Sequence, residues 1–295
     1  MGSSAAQRRS FPHRANPAGP PPRVCDAGYE PFEPSILDLP ILTRSAELLN
    51  LLLQDGTVDL DLASSVVSLD AGLAFMVLQL ANRDRGTGDV AIWQLPMAIV
   101  AGGQQRILRS LNRAPRIETA LGPRIGAHLL QLSVRAVVRG AIAQVVAVQL
   151  GGVNLRQAFL GGLLFELPGM VQMTAGSRSL ALQRVLRTAL DESLPPELAT
   201  VIADGSAERE RPRTSLAAAI VLADAFSEHA LGKSSPGNGK LDDWAQWQCG
   251  QAGNAGQWHR LTDRCFQLAR WVAANVQTIA PWEFAAKVGR NSDWE

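Results

Sequence analysis

From residue 36 onward, hydrophobic positions recur along the chain at helical spacing. Leu42, Ala46, Leu49 and Leu53 follow one another at intervals of four, three and four, which predicts a helix with one inward stripe, closed at Gly56. Leu60, Ala63 and Val67 form the next stripe, and Asp59 stands where an N-cap carboxylate can accept the unpaired N–H groups of a first turn. Leu73, Met76, Val77 and Leu80 at i, i+3, i+4 and i+7 predict a third helix, ending at Asn82. The pattern breaks at "NRDRGTGDV", a loop by its glycines and polar residues. It resumes from Pro96, tolerated in a first turn because its missing N–H has no intrahelical acceptor there, and Gly102-Gly103 ends or bends that run.

The segment "PRIGAHLLQLSVRAVVRGAIAQVVAVQLGG" reads as one long helix, apolar on nearly all sides and stopped by Gly151-Gly152. Such a helix belongs at the centre of a bundle. Asn154 can cap the next one, whose Leu155, Phe159 and Leu163 are four residues apart, and Pro168-Gly169 predicts its end. "SLALQRVLRTAL", "PPELATVIADG" and "SLAAAIVLADAFSEHAL" continue the series, with the charged turn "SAERERPRT" before the last of them. Beyond a loop at 232–243, "RLTDRCFQLARWVAANV" is a further amphipathic helix. No run of alternating residues predicts a sheet, so the expected fold class is all-α.

Composition narrows the setting. With 28 Lys and Arg against 27 Asp and Glu the net charge is +1, so no global field favours nucleic acid or an anionic surface. The odd, sparse set Cys25, Cys249 and Cys265 argues against a disulfide framework and for a reducing compartment; Cys249 and Cys265 read as small buried hydrophobes. Cys249, His259 and Cys265 match no recurring zinc spacing. Residues 1–34, rich in Pro and Gly, read as a disordered arm without the apolar segment of a secretory signal. The stretch "AVVRGAIAQVVAVQL" (136–150) carries Arg139 and is shorter than the roughly 20 apolar residues of a membrane span. A cytoplasmic location without membrane contact is expected. Six of the seven tryptophans, Trp244, Trp247, Trp258, Trp271, Trp282 and Trp294, follow the 232–243 loop, which predicts a helical C-terminal extension over 240–295 packed by large aromatics.

Nucleotide and hydrolase motifs fail on inspection. "HALGKSS" has Ser227 where a phosphate-binding loop needs its first Gly, and no strand precedes it. "GNGKLD" is one glycine short of the dinucleotide fingerprint, and no G-x-S-x-G nucleophile elbow occurs. Two charged features stand out instead. Glu166 lies inside "FLGGLLFELPGM", where an isolated carboxylate is poorly solvated unless it faces water or is paired; an arginine of the long helix, such as Arg135 or Arg139, is its expected partner. Arg106, Arg109, Arg113 and Arg116, spaced three, four and three, share a face if their helix continues to Pro115, and could hold phosphates or acidic side chains through bidentate hydrogen bonds. The alternative is a solvated face. His128, alone at a helix start, is expected to face solvent or to be hydrogen-bonded.

The order "LPILTRSAELLNLL", "VDLDLASSVVSLDAGLAFMVLQLAN", "IWQLPMAIVAGGQQRILRSL" resembles the signature of the HDOD domain, the HD-related output domain of bacterial signalling proteins. Leu39 and Pro40, Asp70, Ala81 and Asn82, Ile92, Leu95, Ala98, Ile99 and Gly103 occupy its places, over about seventy residues. "AFLGGLLFELPGM" is similar to the later Ala-(Phe/Tyr)-Leu-x-Gly-Leu-Leu-His-Asp-Ile-Gly segment, and the likeness extends to about residue 230. Ala71 replaces a usual Pro, Arg83 a usual Ser, and Phe165-Glu166 the His-Asp pair.

The resemblance implies an HD-like multi-helix bundle over 35–230. HD-type phosphohydrolases hold divalent metal with several His and the Asp of the His-Asp pair. Here no His falls between 129 and 228, and Phe165 cannot ligate, so no metal, cofactor or catalytic residue is expected at Phe165 and Glu166. What the resemblance implies is a non-catalytic signalling module with a protein partner, with Arg106, Arg109, Arg113 and Arg116 as the candidate partner or anion-binding face. The alternatives are a divergent metal-dependent phosphohydrolase and a nucleotide or nucleic-acid binder using the arginine row; the balanced charge argues against the latter.

Overall fold

The computed structural model describes residues 39–54, 58–86, 89–119, 122–175, 179–205, 212–231 and 255–275. The expected N-terminal arm, the 232–243 loop, His13, Cys25, Cys249, Trp244, Trp247, Trp282 and Trp294 lie outside them, as do Gly56 and the side chains of Trp258 and His259. The described residues are helical with no strand; one isolated bridge, Ile41 to Arg116, ties the entry of the chain to the segment before the long helix. The all-α expectation holds.

In order, the helices are α1 (Thr43–Gln54), α2 (Leu60–Val67), α3 (Ala71–Asn82), α4 (Leu95–Gly102), α5 (Gln104–Arg113), α6 (Gly122–Leu150), α7 (Leu155–Leu164), α8 (Leu167–Ala175), α9 (Ser179–Ser193), α10 (Pro196–Ala203), α11 (Ser215–Ala230) and α12 (Ala255–Asn275). Local chemistry sets their starts. The side chains of Asp59, Asp70 and Asn154 accept first-turn N–H groups of α2, α3 and α7, and Pro96 sits in the first turn of α4. Gly103, at φ 75°, separates α4 from α5 in a backbone conformation that costs glycine nothing.

Helix α6 is the axis. Its principal neighbours are α7, α11 and α12, with α3 and α8 at its flanks. Twenty-nine residues make it long and apolar enough to cross a membrane by length and composition, more than the 136–150 stretch suggested, but 67% of its most apolar window is buried among other helices. Ala136 to Ala143 are all buried in the bundle. The α6–α7 crossing is closest at two glycines: a Cβ on Gly162 would stand 2.8 Å from the Cα of Gly140 and 2.9 Å from the Arg139 carbonyl oxygen. Helix α12 packs on α6 and α11, burying Leu261, Cys265, Leu268 and Val272, with Phe266 edge-on to Phe226 at 5.9 Å. The C-terminal helix therefore belongs to the bundle itself. Trp271 is half-buried, and burial pushes the Cys265 thiol up to about 12, consistent with a small inert hydrophobe.

One boundary differs from the sequence expectation. Pro168-Gly169 does not stop a helix: α7 ends at Leu164, Phe165-Glu166 make a turn, and Pro168 lies in the first turn of α8. A proline lacking an N–H is as acceptable there as after a helix end, so the dipeptide alone has two readings.

Candidate functional site

The Gly140–Gly162 contact fixes the site. Arg139 precedes the glycine on α6, and the Phe165-Glu166 turn follows three residues after the glycine on α7, so close backbone approach brings the arginine under that turn. The sequence predicts one arginine of the long helix beside Glu166, and both Arg135 and Arg139 meet it. Arg139 Nη2 donates to Glu166 Oε1 at 2.5 Å, and Arg135 pairs with the same oxygen. From the other side α11 supplies two more carboxylates: Asp224 pairs with Arg139, and Glu228 with Arg135 at 3.2 Å. Arg139 has no exposed surface, Glu166 keeps 7% of its side chain exposed and Asp224 5%. The Phe165 ring completes the enclosure, with the guanidinium carbon 5.1 Å from its centroid, within cation–π range.

Electrostatics follow from the count of signs. Burial works against the Arg139 charge, but the Asp224 and Glu166 carboxylates outweigh it and hold its proton above the usual arginine range. Burial alone would raise the Glu166 carboxyl; Arg139 and then Arg135 overcome that and hold it below the usual carboxylate range. Arg139 and Glu166 are thus both held in their charged forms. As a guanidinium cannot be deprotonated at ordinary pH, it offers no acid or base.

A divalent metal does not fit these residues. Glu166 and Asp224 are spent on a guanidinium, Phe165 has no ligating atom, and no group of three or more His, Cys, Asp or Glu suited to a metal occurs among the described residues. His128 is exposed. Sequence reasoning missed Asp224 and Glu228. Their signal was an acidic i, i+4 pair on the largely apolar α11, matching the basic i, i+4 pair Arg135 and Arg139 on α6.

The arginine row does not form as one helical face. Helix α5 ends at Arg113 because Ala114, before Pro115, is extended at ψ 134°, as the proline ring disfavours helix in the residue preceding it. Arg116 therefore lies off the helix, half-buried, donating to the Leu111 carbonyl at 2.8 Å. Arg106, Arg109 and Arg113 are exposed on α5; Arg106 pairs with Asp84 at 2.5 Å, and Arg109 donates to the Gln105 carbonyl.

Two residues of the first-half pattern have structural tasks. Asp70 caps α3 through Leu73 N–H at 3.1 Å and accepts Leu42 N–H at 2.6 Å, joining the starts of α1 and α3. The Asn82 amide donates to the carbonyls of Leu78 and Ile92, each at 2.8 Å, and accepts Ile92 N–H, so it ties Ile92 to the end of α3.

No family model and no curated protein matches this sequence. Among solved structures, the crystal structure of the MmoQ response regulator (fragment 20–298) from Methylococcus capsulatus str. Bath is similar, with a TM-score of 0.50 and 18% identity over 68% of this chain and 87% of that one. At that identity, the likeness is one of fold.

Proposed function

We propose that the chain is a non-catalytic signal-transduction module of the HDOD kind, a cytoplasmic bacterial domain that regulates a protein partner by contact. The observation that carries this reading is Arg139, fully buried between Glu166 and Asp224 and stacked on Phe165. In the resemblance, Phe165-Glu166 stands where HD-type enzymes place the His-Asp pair. A cation belonging to the chain occupies the corner where those enzymes need a metal-bound water, so the carboxylates neutralise and position rather than activate. The first-half pattern from Leu39 to Gly103 supports the signalling assignment. The MmoQ fragment, titled a response regulator, is consistent with it at the level of fold. Arg106, Arg109 and Arg113, all exposed on α5, are the part of the arginine set on the helix and face an acidic partner surface in this reading.

Elemental analysis of the purified protein, combined with phosphohydrolase assays in added divalent metals, tests this. The expected result is no stoichiometric transition metal and no metal-dependent hydrolysis. Bound metal at one per chain, with activity lost on chelation, would overturn the reading. Capture from the native cell should return a reproducible protein, and Arg109→Ala with Arg113→Ala should weaken its binding without changing the melting temperature.

A further inference from the structure

A cavity of ≈ 230 Å³ lies between α1, the end of α2 and the N-terminal half of α6. Helix α1 packs on α2 and α5, and α2 on α1, α3 and α4; α6 is a principal neighbour of neither, and the cavity lies between. Its walls are aliphatic. Val66 and Leu69 are buried, whereas Leu42, Leu48, Leu130 and Val134 are half-buried and share this space. Water held in such a place would need two to four polar partners, and the apolar walls give few; an aliphatic void of about 150 Å³ is already enough to take up benzene.

Polar groups also line the cavity, from α1, from α6 and from the segment between α5 and α6. Ser133 donates its hydroxyl to the Leu129 carbonyl at 3.0 Å, and Ser45 is buried too. Glu118 stands at the mouth, held by Thr43, whose N–H and hydroxyl donate to the carboxylate at 2.7–3.2 Å. An ionised carboxylate has about four acceptor positions, so Glu118 can take one more donor without losing its place. Arg44 also lines the mouth but is exposed.

We propose that this cavity binds a small planar apolar molecule carrying one N–H or O–H donor, of about the size of indole, with its body against Leu48, Leu130 and Val134 and its donor on Glu118. The site is separate from the Arg139 cluster, and the proposal does not depend on the signalling reading.

Indole titrated into the full-length protein, followed through methyl resonances, is the test. Saturable shifts confined to Leu42, Leu48, Leu130, Val134 and their neighbours are expected. 1-Methylindole, which lacks the donor, should bind about tenfold more weakly, the effect of one hydrogen bond to a charged group. Val134→Phe, which fills the cavity, should abolish the shifts; Leu48→Phe serves the same purpose from the rim of α1 if the first variant does not fold. No saturable binding at millimolar indole, shifts centred elsewhere, equal binding of the two indoles, or undiminished binding in a folded filled variant would each overturn the proposal.

Discussion

Removing one member of a buried ion pair leaves the other where its charge is poorly solvated, and at Arg139 both Asp224 and Glu166 would lose a guanidinium, although Glu166 retains Arg135. Arg139→Met is expected to lower unfolding free energy by about 3–5 kcal/mol, measured by urea denaturation. Adding Asp224→Asn should restore much of that loss; an equal loss in the double variant would show that packing, not charge, is at stake. Asp70 acts with the opposite sign to Glu166. Burial pushes its carboxyl up to about 6, against the pull of the Leu42 and Leu73 N–H groups. Between that value and the unfolded 3.8 the native state binds a proton the unfolded chain lacks, so stability rises as pH falls through about 6, by up to about 3 kcal/mol. Glu166, held low, contributes stability above the ordinary carboxylate range and loses it as pH falls through its own lower value. Urea midpoints should therefore increase from pH 7 to pH 5 in the native sequence and stay flatter in Asp70→Asn. A native midpoint that falls steadily over that interval would contradict the assignment.

Helix packing separates glycines that are needed from glycines that are merely present. Gly162→Ala gains helix propensity of roughly 1 kcal/mol, but its Cβ would meet backbone atoms at 2.8–2.9 Å that cannot swing aside. Overpacking of that kind costs about 1–3 kcal/mol, so the melting temperature should fall. Gly102→Ala would find only Leu80 and Ile107 at 3.5–3.6 Å, ordinary contact, and should be neutral or stabilising. Comparison of the two melting curves checks both. The same distinction explains what was legible in the chain. The caps at Asp59, Asp70 and Asn154, the break at Gly103 and the single long helix are local effects, written in neighbouring residues. Pro168-Gly169 was ambiguous because a proline suits a helix start as well as a stop. The arginine row failed at Ala114, whose conformation answers to the proline after it rather than to the spacing of arginines. The partnership of Arg139 with Glu166 could be expected from one long apolar helix and one stranded carboxylate. Its partnership with Asp224 could not, because nothing local sets which faces of α6 and α11 meet.

Across the described bundle, α6 packs against α3, α7, α8, α11 and α12, so these neighbours do not stand alone. Helix α12 covers α6 and α11 with Leu261, Cys265, Leu268 and Val272. A chain ending at Leu231 would leave those surfaces to water and is expected to melt at lower temperature and bind a hydrophobic dye; unchanged melting would mean that α12 contributes little. The net charge of the whole chain is only +1, and among the described residues the buried ion pairs gather at the crossing of α6, the α7–α8 turn and α11.

That internal cation has a thermodynamic consequence. A dissociable ion stabilises a fold in proportion to the logarithm of its free concentration, so supply, dilution and chelators all alter what it contributes. The guanidinium is tethered by its own chain, and its local concentration is set by geometry rather than by the medium. Denaturation curves recorded with excess chelator and with added divalent metal should superimpose, and a molecule held together in this way keeps its shape when the surrounding metal supply varies.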